Sequence, residues 1–434
     1  RSLGQVLDGV SVTRLDDART AAVKGSARMV RVLRRAIRLT PPDVPTEMRI
    51  VYRGEVLRLT GAELERVRRT VLRRGGQPNR SRVDAAEALL EALWHKAESY
   101  QADDAGRPFR ADHDELVTEL GERIEFHRFL VRWWPVLTPA GVLTWLGDRS
   151  RLAQAAGRTF DATQLDLLSA SWAAHPDDPS VADVALLDEL RGMLGEPRRR
   201  RRTEDQAPRQ RRPAHYDEYA HLVVDEAQDL SPMQWRMVGR RGRYASWTIV
   251  GDPLQSAWPD PEEALAAKEA ALRSVRTRRQ FTLRTNYRNS AEIFQLAARV
   301  LAGQTSPDDL PTAVRRTGVE PEVVTVAEPE LAAAARRAAE TMLAAVPGTV
   351  GVITAMAARD PMAAELADVD SDRLRVIGSL DAKGLEYDGV VVVAPEQLVS
   401  EAALPDAGRR SVYVALTRAT QQLTVVTTDE SVLR

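Results

Sequence analysis

From residue 214 onward, short apolar runs alternate with helical stretches, and no other feature of the chain constrains its fold as tightly. Leu222-Val223-Val224, Trp247 to Val250, Phe281 to Leu283, Val323 to Val326, Val350 to Thr354, Leu374 to Ile377, Val390 to Val393 and Leu423 to Val426 read as buried strands. A strand that is apolar at consecutive positions has both faces covered, and helices between strands act as crossovers. The pattern therefore predicts parallel α/β sheets.

The preceding part is patterned differently. Val23, Ala27, Val30 and Leu33 to Ile37 recur at helical spacing until Pro41-Pro42 stops the run. Ile50-Val51-Tyr52 and Val56-Leu57 flank Arg53-Gly54-Glu55 and predict a short hairpin. Thr60 and Glu63 have the spacing of a capping box, opening a helix that carries Leu64, Val67 and Val71. A second helix carries Val83, Ala86, Leu90 and Trp94, and the helical pattern continues from Asp114 to about Leu194, with Trp133, Trp134 and Trp145 as large apolar anchors. Residues 44–195 thus read as one mostly helical unit. Residues 196–213 change composition again. Arg198, Arg199, Arg200, Arg201, Arg202, Arg209, Arg211 and Arg212 stand among Pro197, Pro208 and Pro213, against three acids and no lysine. This is a charged linker, expected to be disordered alone, whose guanidinium forks suit phosphate contacts.

Bulk properties exclude several classes. With 434 residues the chain has material for two to four domains. Its net charge of -1 gives no global positive field for nucleic acid, so any basic surface is local. The absence of cysteine excludes disulfides and thiolate metal sites and fits a cytoplasmic protein. No apolar run reaches the roughly eighteen residues of a membrane span.

The chemistry concentrates in five strings. In His221-Leu-Val-Val-Asp-Glu-Ala-Gln-Asp229 an apolar strand delivers adjacent carboxylates at its C-terminal end, where open α/β sheets bind ligands. Asp225 there can hold Mg²⁺ largely through water. Glu226 can orient and deprotonate a water for attack on a phosphoryl group. Trp247-Thr-Ile-Val-Gly-Asp-Pro-Leu-Gln255 ends a second strand and presents Gln255, which can hydrogen-bond a γ-phosphate or the attacking water. Arg288, in Leu283-Arg-Thr-Asn-Tyr-Arg-Asn-Ser290, offers a planar fork to phosphate oxygens. In Val376-Ile-Gly-Ser-Leu-Asp-Ala-Lys-Gly-Leu-Glu-Tyr-Asp388, Gly384 permits close backbone approach and Glu386 can accept from a ribose hydroxyl. Arg418 closes the series in Val412-Tyr-Val-Ala-Leu-Thr-Arg-Ala419. Singly each string is weak, and a lone Arg is more often a surface ion pair.

In order and spacing together, the strings resemble superfamily 1 helicases of the UvrD and Rep type. Val224 to Trp235, Asn286 to Ile293, Val412 to Thr420 and the tract Trp133 to Pro139 most resemble the HelD family, whose members strip and recycle bacterial RNA polymerase. The resemblance implies two RecA-like domains of the P-loop NTPase kind. The first is incomplete and is built from residues 1–43 and 214–280; the helical unit is inserted in it, and residues 281–434 form the second. It also implies ATP and Mg²⁺ as cofactors: Asp225 for the metal, Glu226 as general base, Gln255 as γ-phosphate sensor, Arg288 and Arg418 as arginine fingers, and Gly384 and Glu386 at the nucleotide. Its implied partner is bacterial RNA polymerase, with the helical unit opening the clamp, nucleic acid reached through the polymerase, and the arginine-rich residues threading its channel.

Three departures qualify this. No G-x-x-x-x-G-K-[ST] loop occurs, and Lys24-Gly25-Ser26 has the wrong order. The chain is therefore read as a fragment whose phosphate cradle precedes Arg1, inactive in ATP hydrolysis alone. The interval from Asn289 to Val376 is too short for the large extra domain of UvrD-type helicases, and Trp258 alone of the aromatics after Gln255 is placed to stack on a base. Two other readings remain: a UvrD/Rep-type DNA helicase or translocase, and a binding module with relic ATP motifs.

Overall fold

A computed structural model describes residues 11–73, 75–103, 112–197, 219–256, 258–369, 372–402 and 404–434. The chain divides into two compact units, Arg1–Asp217 and Glu218–Arg434. The eight arginines between Arg198 and Arg212 lie outside the described residues.

The first unit is helical apart from one hairpin. Strands β1 (Met48–Tyr52) and β2 (Glu55–Leu59) pair antiparallel with Ile50 opposite Leu57. Arg53 and Gly54 both have positive φ, as a two-residue hairpin turn of the right twist requires. Alternate residues Met48, Ile50 and Tyr52 are buried against helices Gly61–Arg73, Arg82–Asp103, His113–Glu122 and Ile124–Trp133. The capping box forms: the Glu63 carboxylate accepts from the Thr60 amide at 2.7 Å and the Thr60 hydroxyl from the Glu63 amide at 3.4 Å. Trp133 and Trp134 are buried as anchors, and Trp134 donates to the Pro78 carbonyl at 2.8 Å. The buried Arg68 guanidinium lies 4.7 Å from the Trp134 ring, and burial lowers its pKa to about 10.

The helical run before Pro41 breaks into Ala18–Gly25 and Met29–Ala36. Sequence reading grouped residues 1–43 with the α/β part. In the structure these two helices pack on Arg149–Ala156, Ala162–Ala174 and Val181–Leu194, inside the helical unit. The physical reason is a buried charge centre. Lys24, fully buried, reaches Asp16 and Asp183 at 2.9 Å each, Ser171 at 2.9 Å and Ser180 at 3.3 Å. Ser171, Ser180 and Asp183 come from the same helices or a cap and Asp16 from the residues just before helix Ala18–Gly25, and a buried ammonium holds them at that spacing.

The second unit carries three parallel sheets. β3 (His221–Val224) pairs with β4 (Ser246–Ile249), and β5 (Thr285–Ser290) with β6 (Thr312–Arg315). The remaining strands, β7 (Glu322–Thr325), β8 (Val350–Thr354), β9 (Leu374–Gly378), β10 (Tyr387–Val393) and β11 (Ala419–Thr427), form one all-parallel sheet in the order β7-β11-β10-β8-β9. The four valines of β10 show why apolar runs were required. Val390 and Val392 pack with helices Ala291–Val300 and Pro405–Leu416, while Val391 and Val393 pack with Leu331–Ala345 on the opposite face.

Several strand expectations fail in detail, among them the burial of β7, where Val323 is 38% exposed. Phe281 to Leu283 is irregular, with Phe281 84% and Leu283 93% exposed. Three apolar-rich residues cannot by themselves specify burial, and the strand starts only at Thr285, where β6 supplies a partner. β3 and β4 form as expected but are only partly covered, and Val223 is 67% exposed. Among the described residues no helix is long and apolar enough to cross a membrane.

Candidate functional site

The site in the second unit starts where β3 ends. Glu226 takes a left-handed backbone, φ 48°, unusual for a residue with a side chain, and so turns the strand sharply into Ala227–Asp229. Asp225 and Glu226 are exposed at this turn. The Asp225 carboxylate accepts from the Glu226 amide at 2.9 Å, and one Glu226 oxygen accepts from the Gln228 amide group at 2.6 Å. The end of the neighbouring β4 is stapled to this turn. The Ala227 amide donates to the Val250 carbonyl at 3.0 Å, and the Asp252 amide donates to the Gln228 side-chain oxygen at 2.9 Å.

Gln255 sits one turn further on and donates to Asp252 at 2.8 Å. Its carbonyl oxygen accepts from Arg418 at 3.0 Å. Arg418 is 1% exposed and also donates to the backbone oxygens of Val414 at 3.0 Å and Leu385 at 3.2 Å. Burial lowers its pKa, as does the nearby charge of Arg288, while Glu226 and Glu386 oppose the shift. The resemblance implies an arginine finger at Arg418, a role that calls for a side chain open to a ligand. Arg418 stands instead between the end of helix Pro405–Leu416 and the start of β11, a buried strut from that junction to the Gln255 turn.

Register explains how the remaining groups meet. Tyr387 and Ala419 open adjacent strands and are partners, so Glu386 and Arg418, the residues before them, are neighbours. β5 is held to the same junction by Asn289, whose amide donates to the carbonyls of Thr417 at 2.8 Å and Ala419 at 2.7 Å. Arg288, on that strand, forms an exposed ion pair with Glu386 at 2.6 Å. Gly384 has φ +72°, and a side-chain carbon there would lie 3.9 Å from the Glu226 Oε1. The seven candidate residues therefore converge from all five strings.

Four residues belong to this cluster beyond those seven. Lys383 forms an ion pair with Asp229, across the same gap as Gly384 and Glu226. Burial raises the Asp229 pKa; the Lys383 charge and hydrogen bond oppose that, and Glu226 adds to it. Asn289 and Gln228 make the bridges described above. All four lie inside the recognised strings, but an amide or lysine within a motif carries no sign of which neighbour it bonds. Trp258 is half-buried and its backbone oxygen accepts from Arg410 at 3.5 Å, so the turn after Gln255 is tied to helix Pro405–Leu416.

The donor set fits the cofactors in kind. Among the described residues no group of three or more His, Cys, Asp or Glu could hold a metal ion. A single exposed carboxylate suits Mg²⁺, which keeps most of its waters and takes one or two protein oxygens beside substrate phosphates. Exposed Arg288 and the open Gly384 loop suit polyphosphate and sugar.

The second unit is thus a parallel α/β unit with acids at the ends of β3 and β4 and arginines on the β5 and β11 segments beside them. Residues 376–426 match the UvrD-like helicase C-terminal domain, which makes the region from β9 through β11 helicase-like. Among solved structures the chain is similar to the C-terminal domain of a possible DNA helicase from Lactobacillus plantarum WCFS1. Identity is 19% over 34% of this chain and 92% of that one, with a TM-score of 0.26. No curated protein matches the chain.

Proposed function

We propose that residues 218–434 form the catalytic face of a UvrD-like, ATP-hydrolysing motor, with two RecA-like domains of which the first is incomplete. The observation that carries this reading is the Arg418–Gln255 hydrogen bond, which joins the acid-bearing β3–β4 layer to the arginine-bearing β5 and β11 segments. Bound Mg²⁺·ATP would supply the phosphoryl group and its leaving group. Asp225 would hold the metal. Glu226 orients a water and takes its proton at a carboxylate oxygen. Gln255 positions that water or the γ-phosphate, and Arg288, released from Glu386, turns its fork to phosphate oxygens while Glu386 faces the ribose. The test is Glu226→Gln in the full-length protein. Nucleotide binding should persist while turnover falls; wild-type turnover would sink the assignment.

The finer reading is a factor of the HelD kind, acting on bacterial RNA polymerase through its helical unit. It rests on the tracts from Val224, Asn286, Val412 and Trp133. The match of residues 376–426 favours the second reading, a DNA helicase or translocase. Release of nucleic acid from polymerase at stoichiometric protein, without ATPase stimulation by single-stranded DNA, supports the first. Strong stimulation without polymerase binding supports the second.

A further inference from the structure

Five residues of this site are linked by hydrogen bonds, the path passing at Asp252 from its carboxylate to its backbone amide. Arg418 donates to Gln255 at 3.0 Å, Gln255 to Asp252 at 2.8 Å, and Gln228 to Glu226 at 2.6 Å. The link between the halves is Gln228, whose oxygen accepts the Asp252 amide at 2.9 Å while its nitrogen holds Glu226. The amide is used at both ends, and each end needs its own chemistry: an acceptor toward the backbone and a donor toward the carboxylate. The backbone is shaped around it. A side-chain carbon at Gly251 would stand 2.7 Å from the Gln228 oxygen and 3.2 Å from the Ala227 nitrogen, so glycine lets the two turns close over the amide. The Ser256 hydroxyl donates to the Gln228 carbonyl at 3.2 Å, fixing its main chain as well.

We propose that Gln228 is the positioning residue of this site, one amide that orients the Glu226 carboxylate and locks it to the turn bearing Gln255. This rests on the reading of Glu226 as general base. Gln228 occupies the Oε2 of Glu226, which leaves Oε1, the oxygen facing Gly384, for a water. Because Gln255 is in turn bonded to Arg418, a shift of the β5–β11 segments reaches the base through Gln255, Asp252 and Gln228. The other charged groups around Glu226 are Asp225, Asp229 and Asp252 on its own layer, and Arg288, Lys383, Glu386 and Arg418 opposite. Of these, none hydrogen-bonds a Glu226 oxygen among the described residues, so the orienting contact is that of Gln228.

The experiment compares Gln228→Glu and Gln228→Met with wild type in the full-length protein, following kcat for ATP turnover, KM for Mg²⁺·ATP and thermal stability. Gln228→Glu keeps the acceptor toward Asp252 but replaces the donor by a second carboxylate. It should lower kcat with KM unchanged, because a carboxylate at this position cannot donate to Glu226. Gln228→Met keeps the volume and loses both contacts. It should lower kcat about 10- to 10²-fold, the usual effect of a misplaced catalytic group, with KM unchanged. Wild-type kcat in Gln228→Glu, or a kcat loss that simply follows a loss of melting temperature, would reduce Gln228 to a brace and overturn the proposal. If Gln228→Glu does not fold, the kcat-against-KM split of Gln228→Met decides. Glu226→Gln runs alongside: wild-type turnover there overturns the base assignment itself, whereas an inactive Glu226→Gln beside a wild-type-like Gln228→Met overturns only the positioning role.

Discussion

Two of the chain's charged clusters, one in each unit, are built on opposite terms. In the helical unit Lys24, Asp16 and Asp183 are 0%, 2% and 1% exposed at the side chain, and Lys24 has four partners. In the α/β unit Arg288 and Glu386 are 41% and 49% exposed and bond each other, beside exposed Asp225 and Glu226. Sealing a charge fixes it, because every partner must then come from the protein. Leaving it open keeps its lone pairs or N–H groups for something else. The sealed cluster therefore sets how helices 18–25, 162–174 and 181–194 pack, and the open one is where exchange with a ligand is cheap. Two carboxylates repeat the contrast. At Asp16 burial pushes the pKa up, but the Lys24 charge and hydrogen bonds from Ser180, Lys24 and Ser171 carry it below the usual value. At Asp229 burial wins over Lys383 and the pKa rises.

These differences can be broken one at a time. The largest effect is expected at the open cluster. Glu226→Gln should cut ATP turnover of the full-length protein about 10²–10⁴-fold, with nucleotide affinity and melting temperature unchanged, measured by steady-state hydrolysis and calorimetry. Lys24→Met should do the reverse. It strands two buried carboxylates and should cost about 3–5 kcal/mol in denaturant unfolding, as breaking a buried ion pair does. Arg418→Ala falls between, since Arg418 is buried like Lys24 but bonds a site residue. It should slow turnover and also lower stability by about 1–3 kcal/mol, through the hydrogen bonds it loses.

The next prediction concerns pH. Asp16 has a folded-state pKa below its unfolded value, so its contribution is complete above the unfolded value and is lost as pH falls through the folded one. Asp229, with a raised pKa, opposes folding at neutral pH and ceases to do so as pH falls through its folded value. Unfolding free energy measured from pH 6 to 3 should therefore fall less steeply in Asp16→Asn and more steeply in Asp229→Asn than in wild type. Identical slopes in all three would mean that neither carboxylate is coupled as described. The smallest effect is expected for Arg288→Ala, whose exposed pair with Glu386 is worth about 0–1 kcal/mol of stability, so any loss beyond that in a urea titration would place Arg288 in the sealed class.

The parallel sheets, the hairpin at Arg53-Gly54, the Thr60–Glu63 cap and the order of the five strings were legible in the sequence because each depends on near neighbours. Periodicity reports which faces are apolar, and turn and cap chemistry acts over three or four residues. Chemical type was legible for the same reason: a carboxylate pair after an apolar strand limits what that strand end can do. Partnership was not. That residues 18–36 belong with the helical unit depends on Lys24 finding Asp16 and Asp183, and Asp183 lies 159 positions away. That Arg418 is a strut depends on a carbonyl at Leu385 and an amide at Gln255, brought to it by strand register. That Phe281 and Leu283 stay exposed depends on the lack of a neighbouring strand among the described residues. Local pattern fixes what a residue can offer, whereas burial and bonding depend on which distant atoms fill the space around it, and only tertiary structure decides that.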